Sequence, residues 1–592
     1  MKKAPILALM LIAVVLVSAC LGEGNTPASS TTSVTSSSPT ESSITSVTSS
    51  YMEGHEGSVE FLYPEKPRAF EITIEQLYTL ITQKYRPSYS IDGNLSVSFD
   101  GEHYVTGNFS FVVRNVSRQN PLFVFVAYPN NRRVLWLNLT IEDVLVNLSR
   151  AHYYVRTLSG TGWAYRVYFL NFTSSKETLR GRLAYKLDYG YFVSNGIIQY
   201  IMSPITQWFI SPLDDVLNVT LYVPNGSMVF VPYEGVFNSS VSLENVNFSR
   251  SNYIFFIGGL YVRKDLTASN ISVHVFIPKA CYRDLYWPTA EMYITGTLTY
   301  YYKWLNVTLV NDVYILLRLG SVGRDFKGLT WGRYGLIVID CVGGMSKLVN
   351  SDINIFYHEL AHLWFGGYAN FGRLNEGFAT YLEWRMLDVF GHRKYFFQKV
   401  EEEVIRYHSR INIASALDLR SRGYSDPAVT AMIYNKAAFA FRSLELVMGR
   451  ETFDRALEDL LRDCQGTYCD LTTVQVVFEN VSGQDLGWFF EEWFNSTKLP
   501  DYKIENLTLS SESGSYSLTF TITDTSNFIM PLEIRTVTED GRFIDKTVWV
   551  NGSAEVSFKL DAKPMRIILD PNEWMVNENK EYDVNGIKVI VE

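Results

Sequence analysis

Between about Ser58 and Lys279 apolar and polar residues alternate in short runs broken by Gly and Asn, as in GNLSVSFDGEHYVTGNFSFVVRNVS. A period of two is that of a strand with one buried face, because successive side chains point to opposite sides. VLNVTLYVPNGSMVFVP repeats the pattern, with Asn225-Gly226 as a turn signal. A few helical pieces, such as Ile74 to Tyr85, interrupt it. From about Ala280 to Pro500 the spacing lengthens to that of helices, in YWPTAEMYITGTLTYYYKWL, SDINIFYHELAHLWFGG, RLNEGFATYLEWRMLDVFG, DPAVTAMIYNKAAFAFRSLELVMG and RETFDRALEDLLRDC. Two short runs there, DVYILLRLG and RYGLIVID, are expected to be strands. After Asp501 the alternation returns in SYSLTFTITDTS, KTVWVNGSAEVSFKL and MRIILDP. The expected fold is a multidomain α+β protein. A large N-terminal β-sandwich-like domain (58–279) precedes a mostly α domain (280–500) and a small C-terminal β-sandwich (501–592). A chain of 592 residues has room for three or four such units.

The front of the chain fits none of these periods. Lys2 and Lys3 precede an apolar run from Pro5 to Ala19, too short to span a bilayer comfortably. Residues 1–19 are therefore expected to be a signal peptide. The run ends in Val17-Ser18-Ala19-Cys20, which resembles the lipobox of prokaryotic lipoproteins. That resemblance implies a lipid on Cys20 and an anchor on the outer face of the cell membrane, with the folded part extracellular. Residues 20–57 are then a linker, mostly Ser and Thr from Ala28 to Ser50. Such a stretch has no apolar surface to bury and cannot offset its own ordering entropy.

Composition narrows the function. A net charge of −10 argues against a nucleic-acid partner. Asn-x-Ser/Thr sequons recur, among them Asn94, Asn108, Asn138, Asn218 and Asn306, more often than composition alone would give. With Cys20 assigned to lipid, Cys281, Cys341, Cys464 and Cys469 remain, an even count that permits two disulfides in a secreted chain. The close spacing of Cys464 and Cys469 favours a local clasp, leaving Cys281 with Cys341.

The chemistry concentrates in His358-Glu359-Leu360-Ala361-His362. On a helix, positions i and i+4 share a face, so both imidazoles can point at one metal ion. Glu359 sits beside that face, where it can reach a metal-activated water as general base. Ser351 or Asp352 can begin the helix and Gly366-Gly367 can end it. Zinc needs a third protein ligand and an open position. No histidine follows at the spacing of the metzincins, whose pattern would use Phe365 and Tyr368. The candidate is Glu376, at the start of the next helix, giving a site for one Zn(2+) per chain. Glu383, seven residues on, shares the face of Glu376 and can hold a ligating histidine through its other ring nitrogen.

HELAHLWFGG followed by LNEGFATYLEW resembles the membrane alanyl aminopeptidase family of gluzincins, in which His-Glu-x-x-His is followed by Asn-Glu-Gly. YNKAAFAFRSLELVMGRETF is similar to that family's Tyr-x-Lys-Gly helix, and VSGQDLGWFFEEWFNSTKLPDY to the end of its catalytic domain. The likeness is specific between about Gly328 and Pro500 and looser elsewhere. It implies a thermolysin-like catalytic domain, His358, His362 and Glu376 as zinc ligands, and Glu359 as general base. It also implies Tyr434 as the residue whose hydroxyl stabilises the oxyanion, with peptides or proteins as substrates. The connection from His362 to Glu376 is shorter than the family's. Gly332 stands where the family has a glutamate that holds the substrate's free amino group. The chain is also expected to stop short of the family's helical C-terminal domain. The expected activity is thus aminopeptidase-like. The alternatives are an endopeptidase that needs no free N-terminus and a non-catalytic surface binding protein.

Overall fold

The computed structural model describes parts of residues 59–257, chiefly their strands, and residues 261–592 apart from 310–311, 319–327, 342, 392–396, 419–425, 513 and 578–579. The expected signal peptide, Cys20, the Ser/Thr linker and the helix at Ile74–Tyr85 all lie outside the described residues. Among the described residues no helix is long and apolar enough to cross a membrane. The chain divides into two compact units, the first essentially residues 1–262 and the second mostly Arg263–Glu592.

The first unit is built of sheets, as the alternation predicts. Its seven-stranded sheet runs in the order Val241–Asn247, Val216–Tyr222, Ser90–Phe99, Tyr104–Arg114, Leu179–Asp188, Arg133–Ile141, Val144–Leu145. Phe109, Phe111 and Val113 are buried on one face with Leu139, Ile141 and Leu183, while the residues between them face outward. That outward face carries the sequon asparagines Asn94, Asn108, Asn138 and Asn218, all exposed. A second sheet joins Val59–Leu62, Ala164–Ser174, His152–Thr157 and Ala69–Glu71, with Leu122–Pro129 also paired to Ala164–Ser174.

The second unit opens with a five-stranded sheet in the order Tyr261–Ala268, Ile271–Pro278, Val313–Arg318, Leu336–Asp340, Gly328–Trp331. The boundary expected at 279/280 therefore falls too late. Ile271–Pro278 pairs in parallel with Val313–Arg318, and a parallel pair needs a crossover, here the helix Trp287–Leu305. Pairing distant in sequence is invisible to local periodicity. Both runs expected as strands within the helical region are strands, and Leu336–Asp340 is buried throughout.

Two helices follow that carry the candidate chemistry, Ile353–Ala361 and Leu374–Phe390, here called the histidine helix and the glutamate helix. The crossover helix braces the first, Tyr301 donating its hydroxyl to the carbonyl of Tyr357 at 3.1 Å. The glutamate helix is buried on nearly all sides, which marks a central element. Phe378 from it stacks on Phe365 at 4.6 Å and on Phe441 at 4.1 Å, joining three segments through one ring.

Arg385, deeper in the same helix, is 4% exposed. It donates to Glu445 at 2.8 Å and Asp454 at 3.2 Å and lies 4.3 Å from the Trp304 ring centre, while Tyr381 donates to Glu445 at 2.7 Å. Removing one partner of a buried ion pair leaves the other charge uncompensated. Arg385→Met should therefore cost about 3–5 kcal/mol, measured by denaturant unfolding. A loss below about 1 kcal/mol would show the network to be dispensable.

The C-terminal strands run in one hydrogen-bonded order, Tyr502–Glu512, Ser515–Asp524, Ser553–Leu560, Phe543–Asn551, Ile529–Thr538, Pro564–Leu569, Ile587–Val591, Lys580–Val584. They are tied to the helix Ala437–Met448. Arg442 donates to the carbonyls of Glu573 and Asn572 at 2.7 and 2.8 Å, and Ser443 donates to that of Trp574 at 2.9 Å. The structure pairs Cys281 with Cys341 and Cys464 with Cys469.

Candidate metal centre

The histidine helix presents His358 and His362 one turn apart. The regular helix closes at Ala361, but the N–H of His362 still donates to the carbonyl of His358 at 3.3 Å, so both rings keep one face. Asp352 stands at the N-cap without a side-chain cap bond, and Gly366 turns the chain back with φ +118°. The glutamate helix then brings in Glu376 in its first turn.

The ligating atoms converge. Glu376 Oε2 lies 3.2 Å from Nε2 of His358 and 3.2 Å from Nε2 of His362, and the two nitrogens are 3.1 Å apart. Zinc bound tetrahedrally at about 2.0–2.1 Å separates its ligands by about 3.3 Å, so the triangle has the size one zinc ion requires. Among the described residues this is the group of His, Cys, Asp and Glu side chains close enough to share a metal. Each remaining ring nitrogen has its own partner. Nδ1 of His358 is 3.2 Å from Glu383 Oε2, and Nδ1 of His362 is 3.0 Å from the carbonyl of Phe365. Each partner is an acceptor, so with a metal bound each ring would donate through Nδ1 and offer the lone pair of Nε2 to the ion. Glu383 is itself fixed, accepting from Asn354 Nδ2 at 3.1 Å.

The electrostatics favour a cation. Burial alone would lower the basicity of His358. Hydrogen bonds and charge from Glu376 and Glu383 outweigh it and hold the imidazole up at about 10. Burial would raise Glu376, but the two histidines hold its carboxyl well below the usual carboxylate range. Negative potential is thus concentrated where the three ligands meet. Glu359 differs. Burial pushes its carboxyl up, opposed by His362, His358 and a hydrogen bond from Thr330.

Thr330 was not legible as a site residue. It lies on the edge strand Gly328–Trp331, and its hydroxyl is 2.5 Å from Glu359 Oε2 and 3.0 Å from the carbonyl of Glu359. Asn354 was also missed, although it stands four residues before His358 and so shares its face. Tyr434 reaches the site from a π-helical segment, Ala431–Lys436, and its ring stacks on His358 with centres 5.8 Å apart and planes inclined by 17°. The extra residue of a π-turn shifts the facing of the helix, as it often does at functional sites.

Gly332 explains a departure noted in the sequence. A Cβ there would meet the carbonyl oxygen of His362 at 2.5 Å and Cα of Gly367 at 2.6 Å. Gly367 is blocked in turn by the backbone of Gly332 at 2.7 Å. Backbone thus packs against backbone at Gly332, so no side chain fits there.

Residues 294–493 match the Peptidase family M1 domain. The M1 segment thus begins inside the crossover helix and ends just before the C-terminal sheet, and it contains every residue of the metal centre. Three similar proteins match part of the chain. Aminopeptidase M1-A of Oryza sativa subsp. japonica is 27% identical over 161 residues, covering 26% of this chain and 18% of the rice protein. Protein TMA108 of Saccharomyces cerevisiae is 25% identical over 172 residues, covering 26% and 18%. Tricorn protease-interacting factor F2 of Thermoplasma acidophilum is 24% identical over 251 residues, covering 39% and 30%. The chain thus spans less than a third of the length of these relatives. Legionella pneumophila aminopeptidase A, solved in complex with aspartic acid, matches with a TM-score of 0.50 at 15% identity, over 85% of this chain and 61% of that one. At that identity the likeness is one of fold, and it agrees with the multidomain α+β architecture.

Proposed function

We propose that this chain is a zinc metallopeptidase that hydrolyses peptide bonds, with His358, His362 and Glu376 holding one Zn(2+). The observation that carries the reading is the 3.1–3.2 Å triangle of ligand atoms with the Glu359 carboxylate beside it. When bound, zinc supplies Lewis-acid polarisation of the scissile carbonyl and an acidified water at neutral pH. Glu359 takes the proton from the attacking water and passes it to the leaving amine. Its carboxyl is suited to both acts, since burial raises its proton affinity. Tyr434, whose ring stacks on that of His358, donates its hydroxyl to the oxygen that becomes negative in this reading. Glu383 keeps His358 oriented throughout.

Thr330 orients the base. A hydrogen bond to a charged group is worth about 1.5–3 kcal/mol, so Thr330→Val should lower kcat by about ten- to a hundredfold with KM little changed. Thr330→Ser should retain most of the activity. Equal kcat for the valine variant and the unmodified protein would remove Thr330 from the mechanism.

The M1 match and the names of its relatives favour an aminopeptidase-like activity. The closed backbone at Gly332 favours a second reading, an endopeptidase or an enzyme indifferent to a free amine. Peptides or proteins are substrates in either case. The lipobox and sequons support an extracellular site of action, on a membrane reached through a lipid on Cys20. Metal analysis of the purified protein, with a free-amino aminoacyl reporter compared against an N-blocked internally quenched peptide, tests both readings. Bound zinc with turnover of either substrate supports a peptidase, and the preferred substrate separates the two. Zinc with no cleavage of any peptide library would favour a binding protein on a peptidase scaffold.

A further inference from the structure

We infer that the Cys464–Cys469 clasp positions the third metal ligand, Glu376, by holding the turn that joins the histidine and glutamate helices. The inference rests on the zinc reading above and adds a part of the molecule remote in sequence. Only 13 residues separate His362 from Glu376, so a short turn must aim the glutamate helix. Part of that turn satisfies itself, Gly366 N–H donating to the carbonyl of Ala369 at 2.6 Å and Ala369 N–H to that of Trp364 at 3.0 Å. The next groups along the turn bond to the clasp instead. Gly466 N–H donates to the carbonyl of Tyr368 at 2.8 Å, Asn370 N–H to that of Thr467 at 3.2 Å, and Cys469 N–H to that of Asn370 at 2.9 Å.

Asn370 is the junction. Its main chain is held on both sides by the clasp, and its side-chain oxygen accepts from Gly372 N–H at 2.9 Å and from Asn375 Nδ2 at 3.1 Å. Asn375 returns a bond by accepting from Phe371 N–H at 2.8 Å. Asn375 directly precedes Glu376, so a continuous path of hydrogen bonds runs from the clasp to the residue bonded to the ligand. The clasp is anchored at both ends. It closes the helix Arg450–Asp463, with Cys464 buried, and precedes the helix Leu471–Ser482, whose start Asp470 caps by accepting from Thr473 N–H at 2.9 Å. The disulfide joins the two ends of the connection between these helices and fixes the intervening residues as a platform. Backbone bonds to such a platform transmit position, where bonds to a loose connection would not.

The test is the rate at which zinc leaves the full-length protein for an excess of a chromophoric chelator, with circular dichroism to confirm folding. Partners that orient a ligand typically change metal affinity by ten- to a hundredfold. Cys464→Ala/Cys469→Ala should release zinc about tenfold faster than the unmodified protein. Asn370→Ala, which leaves the disulfide intact, should move the rate in the same direction. A clasp that serves stability alone would lower Tm while zinc left both folded variants at the unmodified rate, and that result would overturn the inference. Should the double variant fail to fold, Asn370→Ala decides in either direction. An unmodified protein that holds no zinc would overturn the metallopeptidase reading and this inference with it.

Discussion

Replacing Glu359 with Gln should leave one zinc bound per chain while lowering kcat by about a thousandfold, within the range assigned to general acid–base catalysis. The substitution is isosteric, and the amide oxygen can still accept from Thr330, now 2.5 Å from the carboxylate. Neither His358 nor His362 bonds to Glu359 in the structure, so the ligand triangle should survive. What the amide cannot do is accept the proton of the attacking water. The check pairs metal content with single-turnover kinetics. Zinc retained with turnover lost assigns Glu359 to proton transfer, and undiminished turnover would remove it from that role. Loss of zinc as well would mean that the residue supports the site and not the reaction.

The second large effect is expected from Glu376→Ala. The variant loses the one anionic ligand, and two half-buried imidazoles then face each other 3.1 Å apart with no shared acceptor. Residues that merely orient ligands change metal affinity by about ten- to a hundredfold, so a ligand itself should cost more than about a hundredfold. Activity is a poor sole readout, because loss of zinc and misplacement of zinc both abolish it. Thermal stability separates them. A ligand present at a hundred times its Kd stabilises a folded protein by about 2.7 kcal/mol. The unmodified protein should therefore show a zinc-dependent rise in Tm, and the variant should show none at the same zinc concentration. A similar rise in both would show that Glu376 is not a ligand.

The convergence of His358, His362 and Glu376 was legible for a simple reason. The i, i+4 spacing of His358 and His362 and the helix-starting position of Glu376 are local facts, and a helix converts local spacing directly into shared direction. The seven-residue step from Glu376 to Glu383 is two turns, so that contact was also within reach of sequence. Thr330 was not, because its role depends on an edge strand pairing antiparallel with Leu336–Asp340 and lying beside the histidine helix. Periodicity reports which face of a strand is buried but not which helix it meets. Tyr434 was singled out only through the family resemblance. Its segment shows ordinary helical spacing in sequence, and the π-turn that sets its facing is imposed by packing. The sheet boundary was missed for a related reason, since the pairing of Ile271–Pro278 with Val313–Arg318 spans a whole helix.

The glycine pair at Gly332 and Gly367 shows how the two levels combine. Sequence identified the absence of an acidic side chain at position 332 but could not say whether space remained for a neighbouring acid. The structure shows backbone in contact with backbone at that point.

The account depends most on a single cation held by His358, His362 and Glu376. Anomalous diffraction from crystals of the purified protein, recorded on either side of the zinc absorption edge, tests this directly. The account predicts one peak per chain, at about 2.0–2.1 Å from Nε2 of both histidines and from a carboxylate oxygen of Glu376. Crystals grown with zinc that show no peak there, or one bound by other residues, would contradict it.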